Sequence, residues 1–326
     1  ISYSVTGVQT CALPISPLDD HVLECYKKAG KAVASALKLG QVIARPGTKM
    51  LDLATLLEQE ITRHGMGLAF PANLSLDNCA AHYSPIINDP MVLPNEGLLK
   101  IDLGAHCEGY VADAAITVNL GKTEGIHEAL IKAVTDALYG AIRAFKPGTN
   151  VGRIGAVIQQ EIEKYKGCRP IANLGGHQLK QYNLHAGTFV PNIARTSDNY
   201  IIQEGDQFAI EPFSTNGYGA IKNGPDMTIF RFAGIKKKKN LPLLEKVRIQ
   251  KFKDAFNTLP FSPRWVDFVP PDQVDTMVAH YLKQDMLEGY HTFIERQNGL
   301  VAQAEHTVIV TKDGAIPTTW WEDFQL

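Results

Sequence analysis

Cysteine is scarce: the 326 residues hold five, at Cys11, Cys25, Cys79, Cys107 and Cys168. The number is odd, the positions are scattered, and no C-x-x-C pair occurs, so the spacing suggests neither a disulfide framework nor a structural zinc site. A surplus of charge of one sign is missing too. A formal net charge of −2 argues against a dedicated nucleic-acid binder, whose footprint is a strongly basic domain. No apolar run reaches the roughly 20 residues that a bilayer span needs, and no basic segment precedes an apolar stretch at the amino-terminal end. The expectation is a chain that is neither exported nor inserted in a membrane, working in the reducing cytoplasm. What is present is an ordinary globular composition, 45% hydrophobic and 20% charged, long enough for one large core or two modest ones.

The first segment, Ile1 to Ser16, differs from the rest. It starts without Met, carries no charged side chain, and shows neither alternation nor a helical face. It is expected to be either a translated cloning remnant or a loosely docked tail, outside the folded unit of residues 17–326.

From Asp19 the pattern becomes regular. Asp19 and Asp20 can cap a helix through Leu37, and a second helix is predicted from about Leu51 to His64. Between them lies Arg45-Pro46-Gly47-Thr48. A further helix, about Gly125 to Phe145, is followed by Lys146-Pro147-Gly148-Thr149 and then a helix from Val151 to Tyr165. The repeated punctuation suggests an internal duplication, two halves each with a helix pair joined by a Pro-Gly-Thr turn and then strands; Pro-Gly is common enough in turns for chance to remain the alternative. Between about Lys236 and Tyr290 the texture turns charged and helix-rich, which reads as an inserted helical subdomain.

The chemistry gathers around Leu99-Lys100-Ile101-Asp102-Leu103-Gly104 and Tyr110-Val111-Ala112-Asp113-Ala114-Ala115. Two apolar runs, each with one carboxylate, are joined by a short polar segment, the pattern of a strand hairpin. Aspartates within apolar strands are costly to bury unless a cation meets them. Side by side they repel unless a metal ion neutralises both. The bland alternative is one turn residue and one solvated edge.

Three more residues share this character: His177 beside Gly176, Glu211 at the end of the run Phe208-Ala209-Ile210, and Glu305 in the middle of a predicted strand from Leu300 to Val310. Four carboxylates and one imidazole suit Mn, Fe, Co or Zn rather than a thiolate-selected metal. So much negative charge fits two divalent ions better than one. A pair of ions activates water and polarises a carbonyl, which is hydrolytic chemistry.

At this point the motifs resemble a known family. Asn78-Cys79-Ala80-Ala81-His82-Tyr83, Lys100-Ile101-Asp102-Leu103-Gly104, Gly176-His177, His185-Ala186-Gly187, Ile210-Glu211-Pro212-Phe213 and Ala302-Gln303-Ala304-Glu305-His306-Thr307 resemble, in order, the successive motifs of type II methionine aminopeptidases, from about Asp19 to Thr311. The segment with Thr258-Leu259-Pro260-Phe261 and Arg264-Trp265 resembles the insert of the type II branch. With no long Lys-rich extension, the chain looks more archaeal than eukaryotic.

The resemblance implies an α/β pita-bread fold, two related halves around a central cleft holding two divalent metal ions (Co, Mn, Fe or Zn). It implies that Asp102 chelates one ion, that Asp113 and Glu305 bridge, and that His177 and Glu211 hold the other. Glu211 would also shuttle the proton of the attacking water to the leaving amine. His82 and His185 would bind substrate and stabilise the tetrahedral species. Phe70, Leu184, Phe213 and Tyr290 would line a methionine pocket, where an unbranched thioether suits an apolar, aromatic slot. The implied activity is removal of N-terminal methionine from nascent proteins, preferring a small second residue, by a monomer. The alternatives are an X-Pro aminopeptidase or prolidase-like enzyme of the same fold, or a non-catalytic binding module on it.

The remaining histidines His106, His127, His280, His291 and His306 keep a structural reading. His306 alternates away from Glu305 and should face the opposite side of the strand. Lys236-Lys237-Lys238-Lys239 reads first as a solvated face, with a ribosome contact as the alternative.

Overall fold

The computed structural model describes residues 19–121, 124–197, 199–234 and 242–320. The tail Ile1 to Ser16, the run Lys236 to Lys239 and the terminal Trp321 to Leu326 lie outside the described residues.

The first half sets two helices on an antiparallel sheet. Helix α1 (Asp20–Ile43) begins where the Asp19 carboxylate accepts the His21 backbone N–H at 2.8 Å, satisfying an otherwise orphaned donor. It continues past the expected end at Leu37, since nothing breaks it before Arg45-Pro46-Gly47, and Gly40 lets it settle on Ile101 and Leu57. After α2 (Met50–Arg63) come β1 (Gly67–Leu76), the short β2 (Cys79–Ala81) and the hairpin β3 (Leu98–Cys107) and β4 (Tyr110–Asn119). The sheet order is β1-β3-β4. Ala29, Ala32, Val33 and Ala36 form the buried face of α1, in one apolar cluster with Leu53 and Leu57 of α2 and with Leu99, Ile101 and Leu103 of β3. Small residues at helical spacing allow that close approach.

The second half repeats the plan. Helices α3 (Ile126–Ala144) and α4 (Val151–Glu163) share a second apolar cluster with Phe208, Ile210, Ala302 and Val308. The strands that follow are β5 (Arg169–Pro170), β6 (Gly175–Gln178), β7 (Phe189–Pro191), β8 (Gln207–Ile210), β9 (Phe213–Thr215) and β10 (Ile221–Phe232). Then come α5 (Leu243–Phe256), α6 (Pro271–Lys283), β11 (Leu287–Glu295), β12 (Val301–Gln303), β13 (His306–Thr311) and β14 (Gly314–Pro317). They form sheets ordered β14-β13-β8-β6-β7, β12-β9-β5 and β10-β11-β2.

The two Pro-Gly-Thr turns are held alike. Gly47 and Gly148 take φ values of 82° and 83°, a region glycine adopts without strain. Gly47 N donates to Leu93 O and Leu93 N to Thr48 O; Gly148 N donates to Ile202 O and Ile202 N to Thr149 O. Matching backbone bonds at matching places make the repeated punctuation a structural repeat.

Helices α5 and α6 build an apolar cluster of their own with Phe230, Phe261 and Leu287. Helix ends at Lys283, and Leu287 already opens β11, so Tyr290 lies on a sheet strand rather than inside helical sequence running to about residue 290.

Candidate active site

The halves meet along a seam between β4 and the segment joining β12 to β13. Thr117 Oγ1 donates to Gln303 O at 2.7 Å, Glu305 N to Ala115 O at 2.9 Å, and Thr307 Oγ1 to Asp113 O at 2.9 Å. The seam carries carboxylates from both sides. Asp102 pairs with Ala115 and Asp113 with Gly104 in the hairpin register. The two aspartates therefore share one face as diagonal neighbours, as the hairpin reading anticipated.

Glu305 corrects the expectation of one continuous strand. β12 pairs with β9 and β13 pairs with β8, so the chain changes sheets between Gln303 and His306. Glu305 sits in that break, bridged to Ala115, and its side chain is buried at the seam. Glu211 follows β8 directly, ahead of Pro212, whose missing N–H helps end the ladder. His177 stands on β6, next to Gly176, where a Cβ would meet the Ala209 carbonyl oxygen at 2.2 Å.

One cleft is lined by Phe70, His82, Asp102, Asp113, His177, Leu184, His185, Glu211, Tyr290 and Glu305, ten of the eleven residues singled out in the sequence. His177 Nε2 lies 3.6 Å from Asp113 Oδ2 and 3.7 Å from Glu211 Oε1. Donor atoms of Asp113, His177 and Glu305 fall within 4.8 Å of one another.

The eleventh, Phe213, is a correction. It is 1% exposed and packs with Ala80, Ile171, Leu174, Ile221 and Val301. Past Pro212 the chain enters another sheet, in which Phe213 pairs with Gln303.

Asn73, Ala81, Ile229 and Pro260 also line the cleft, none of them assigned a role from the sequence. Gln303, within a recognised motif, had no assigned role. Its Nε2 lies 3.3 Å from each of Asp102 Oδ2, Glu211 Oε2 and Glu305 Oε2. The available signal was its position two residues before Glu305, since i and i+2 share a strand face. Pro260 lay in the motif Thr258-Leu259-Pro260-Phe261 with no role assigned, and Ile229 left no such signal.

The electrostatics call for a cation. Burial, then repulsion from Asp102 and Glu211, holds the Asp113 carboxyl well above its ordinary range. Burial and the charges of Asp113, Glu211 and Asp102 do the same to Glu305, burial and Asp102 to Glu211, and burial lifts Asp102 to about 7. Asp102 Oδ1, Asp113 Oδ1 and Glu305 Oε1 are buried with no hydrogen-bond partner. Clustered carboxylates with unmatched acceptors fit divalent metal, which reverses the repulsion.

The histidines are constrained by their neighbours. His82 adopts a φ of 67°, uncommon for a residue with a Cβ. Its Nδ1 lies 3.1 Å from His291 O, which can only accept, so Nδ1 carries the proton. The ring sits against Phe293 at 4.3 Å and Tyr290 at 5.5 Å between centroids. Burial pushes its pKa down to about 4, keeping the ring neutral at pH 7. His185 lies at the mouth, its ring 4.4 Å from that of His177. The structural reading of His306 holds: its Nδ1 meets Thr319 Oγ1 at 2.8 Å, away from the cleft.

The profile of Metallopeptidase family M24 matches residues 24–312. A methionine aminopeptidase of Pyrococcus horikoshii is 41% identical over 304 residues, covering 92% of this chain and 99% of that protein. Among solved structures, a thermophilic Arx1 superposes with a TM-score of 0.80 at 16% identity, covering 93% of this chain and 92% of that one. The methionine aminopeptidase of Thermotoga maritima superposes at 0.69 with 22% identity, covering 94% and 100%. At those identities the superpositions show the fold alone.

Proposed function

Because the chain belongs to Metallopeptidase family M24, we propose that its cleft is the active site of a methionyl aminopeptidase that uses divalent metal to remove the N-terminal methionine of nascent proteins. The relative from Pyrococcus horikoshii, 41% identical across nearly its whole length, supports the activity. The observation that carries the reading is the convergence of Asp102, Asp113, His177, Glu211 and Glu305 in one cleft with His82 and His185, beside an apolar wall of Phe70, Leu184, Ile229, Pro260 and Tyr290.

Two divalent ions bound there would supply an activated water and polarise the scissile carbonyl. Asp113 and Glu305, on the two sides of the seam, would hold both ions, with Asp102 completing one set and His177 with Glu211 the other. Gln303 shares its two amide protons among three of the carboxylates and fixes their orientation. Glu211 takes the proton of the attacking water and hands it to the departing amine. His82 presents a neutral ring whose Nε2 is an acceptor, suited to a substrate N–H. His185, at the mouth, is the candidate donor to the developing oxyanion. Phe70 lies over Gly104, where a Cβ would strike its ring at 2.2 Å, so glycine there leaves room for an aromatic floor to the side-chain slot. The same reading includes a preference for a small second residue, as the resemblance to methionine aminopeptidases implies.

The test is release of the first residue from Met-Ala-Ser and Ala-Pro-Ser peptides by metal-loaded protein. Methionine release alone is expected. Cleavage confined to the peptide with proline in second place would move the chain to the X-Pro branch.

A further inference from the structure

A second group of metal-type donors lies at the far end of the hairpin that carries Asp102 and Asp113. His21 and Cys25 are one helical turn apart in α1 and so share a face. Cys107 ends β3, and Glu108 with Gly109 makes the two-residue turn into β4. Cys25 Sγ and Cys107 Sγ are 3.2 Å apart although 82 residues separate them. His21 Nε2 faces both Cys25 Sγ at 3.8 Å and Glu108 Oε2 at 2.9 Å. The donor atoms of His21, Cys25 and Glu108 all lie within 4.8 Å of one another. Five register steps along the hairpin separate the Cys107–Tyr110 pair from the Asp102–Ala115 pair, about 17 Å at strand rise. The two donor sets are distinct.

We propose that Cys25, Cys107, His21 and Glu108 form a second metal site, for a single thiophilic divalent ion such as zinc(II), which staples α1 to the hairpin. Thiolate, imidazole and carboxylate are the donor types that tetrahedral zinc takes. Two thiolates on one such ion stand about 3.8 Å apart for Zn–S bonds near 2.3 Å. The cysteines thus separate by only about half an ångström to accept it. On binding, each S–H bond breaks, each sulfur donates its electron pair to the ion, and two protons pass to solvent. The position suits loading from water: Cys25 is buried against the protein, whereas the His21 and Glu108 side chains are 63% and 61% exposed.

The hairpin turn supports the reading. Glu108 holds a φ of 53° and Gly109 a φ of 86°. A turn with both central residues at positive φ ordinarily takes Asn or Asp before Gly. Here it takes Glu, whose longer side chain reaches the His21 ring.

The experiment adds cobalt(II), then cadmium(II) in a separate run, to reduced and chelator-stripped full-length protein and follows the thiolate-to-metal charge-transfer band. The catalytic cleft offers only oxygen and nitrogen donors and stays silent in that band, so its filling does not enter the readout. A band that saturates at one ion per chain is expected. It should fall to about half its intensity in Cys107→Ser, where the Cys25 thiolate remains, weaken in affinity by more than about tenfold in His21→Ala, by comparison with the 10- to 100-fold cost of losing even an outer partner, and persist in Cys79→Ser and in Asp113→Asn. Cys107 is only half-buried, and circular dichroism checks that its variant folds. Absence of a band in the reduced wild type, or a band unchanged in Cys107→Ser, overturns the site. So does recovery of Cys25 and Cys107 as a disulfide that persists under reductant.

Discussion

Arg264 and Glu58 join as a two-pronged ion pair across 206 residues of sequence, with contacts of 2.8 and 3.0 Å and both side chains 9% exposed. Trp265 Nε1 donates to the same carboxylate at 3.0 Å and Ala72 N at 3.1 Å. The segment that carries Pro260 to the cleft is thereby fastened to α2 and β1. Arg264→Ala leaves Glu58 buried with a shortened set of partners and should cost about 3–5 kcal/mol, the scale of breaking a buried pair. Replacing both, as Glu58→Gln with Arg264→Met, should cost less than the sum of the two single changes. Urea denaturation of the wild type, Arg264→Ala, Glu58→Gln, Arg264→Met and the double variant checks both expectations.

Phe213 and Tyr290 should part company. Phe213→Ala empties a packed site behind the cleft and should lower stability by about 3–5 kcal/mol, with KM for Met-Ala-Ser unchanged in the folded protein. Tyr290→Ala opens the cleft wall and should raise KM with a smaller loss of stability. Thermal melts paired with steady-state kinetics separate the two.

For Glu211, exchange of the carboxylate for an amide keeps one oxygen donor and removes the proton acceptor. Glu211→Gln should retain metal by elemental analysis while turnover falls by about 10²- to 10⁴-fold, the usual share of general acid–base catalysis. Turnover near that of the wild type with metal bound would remove the shuttle role.

Glu295 ties pH to stability. Burial alone would raise its carboxyl, but backbone N–H groups of Tyr218, Gly219, Gln297 and Gly299, at 2.6–3.0 Å, bring it below the ordinary range. As pH falls through the ordinary carboxylate range the unfolded chain takes up a proton that the folded chain refuses. The contribution is therefore present above the unfolded value, about 4.3, and is lost as pH falls through the lower folded value. Glu295→Gln should destabilise by roughly 2 kcal/mol near neutrality, the order of a charged hydrogen bond lost. The gap between the two proteins should narrow in acid, as melts from pH 7 down to about pH 3 would record.

The candidate metal ligands were readable in sequence where a carboxylate interrupts an apolar alternation, as at Asp102 and Asp113, because strand periodicity and a short hairpin turn together put them on one face. The duplicated turns were readable because Pro-Gly-Thr prescribes local geometry. Contacts that no local rule encodes were not. The change of sheet around Glu305 depends on which strands it meets, and the burial of Phe213 follows from the same kind of switch after Pro212. Cys25 and Cys107 looked like scattered, unrelated thiols until α1 was laid on the hairpin. Gln303 shows the middle case, with its face legible and its three carboxylate partners not.

The central claim is that five residues of one cleft hold the metal that removes methionine. Chelator-stripped protein should be titrated with manganese(II) or cobalt(II) while methionine release from Met-Ala-Ser is followed, in the wild type and in Asp113→Asn. Release that is absent without metal, rises with added ion in the wild type, and stays near zero in the variant is the predicted result. Full release from metal-free protein, or metal-dependent release undiminished in Asp113→Asn, would contradict it.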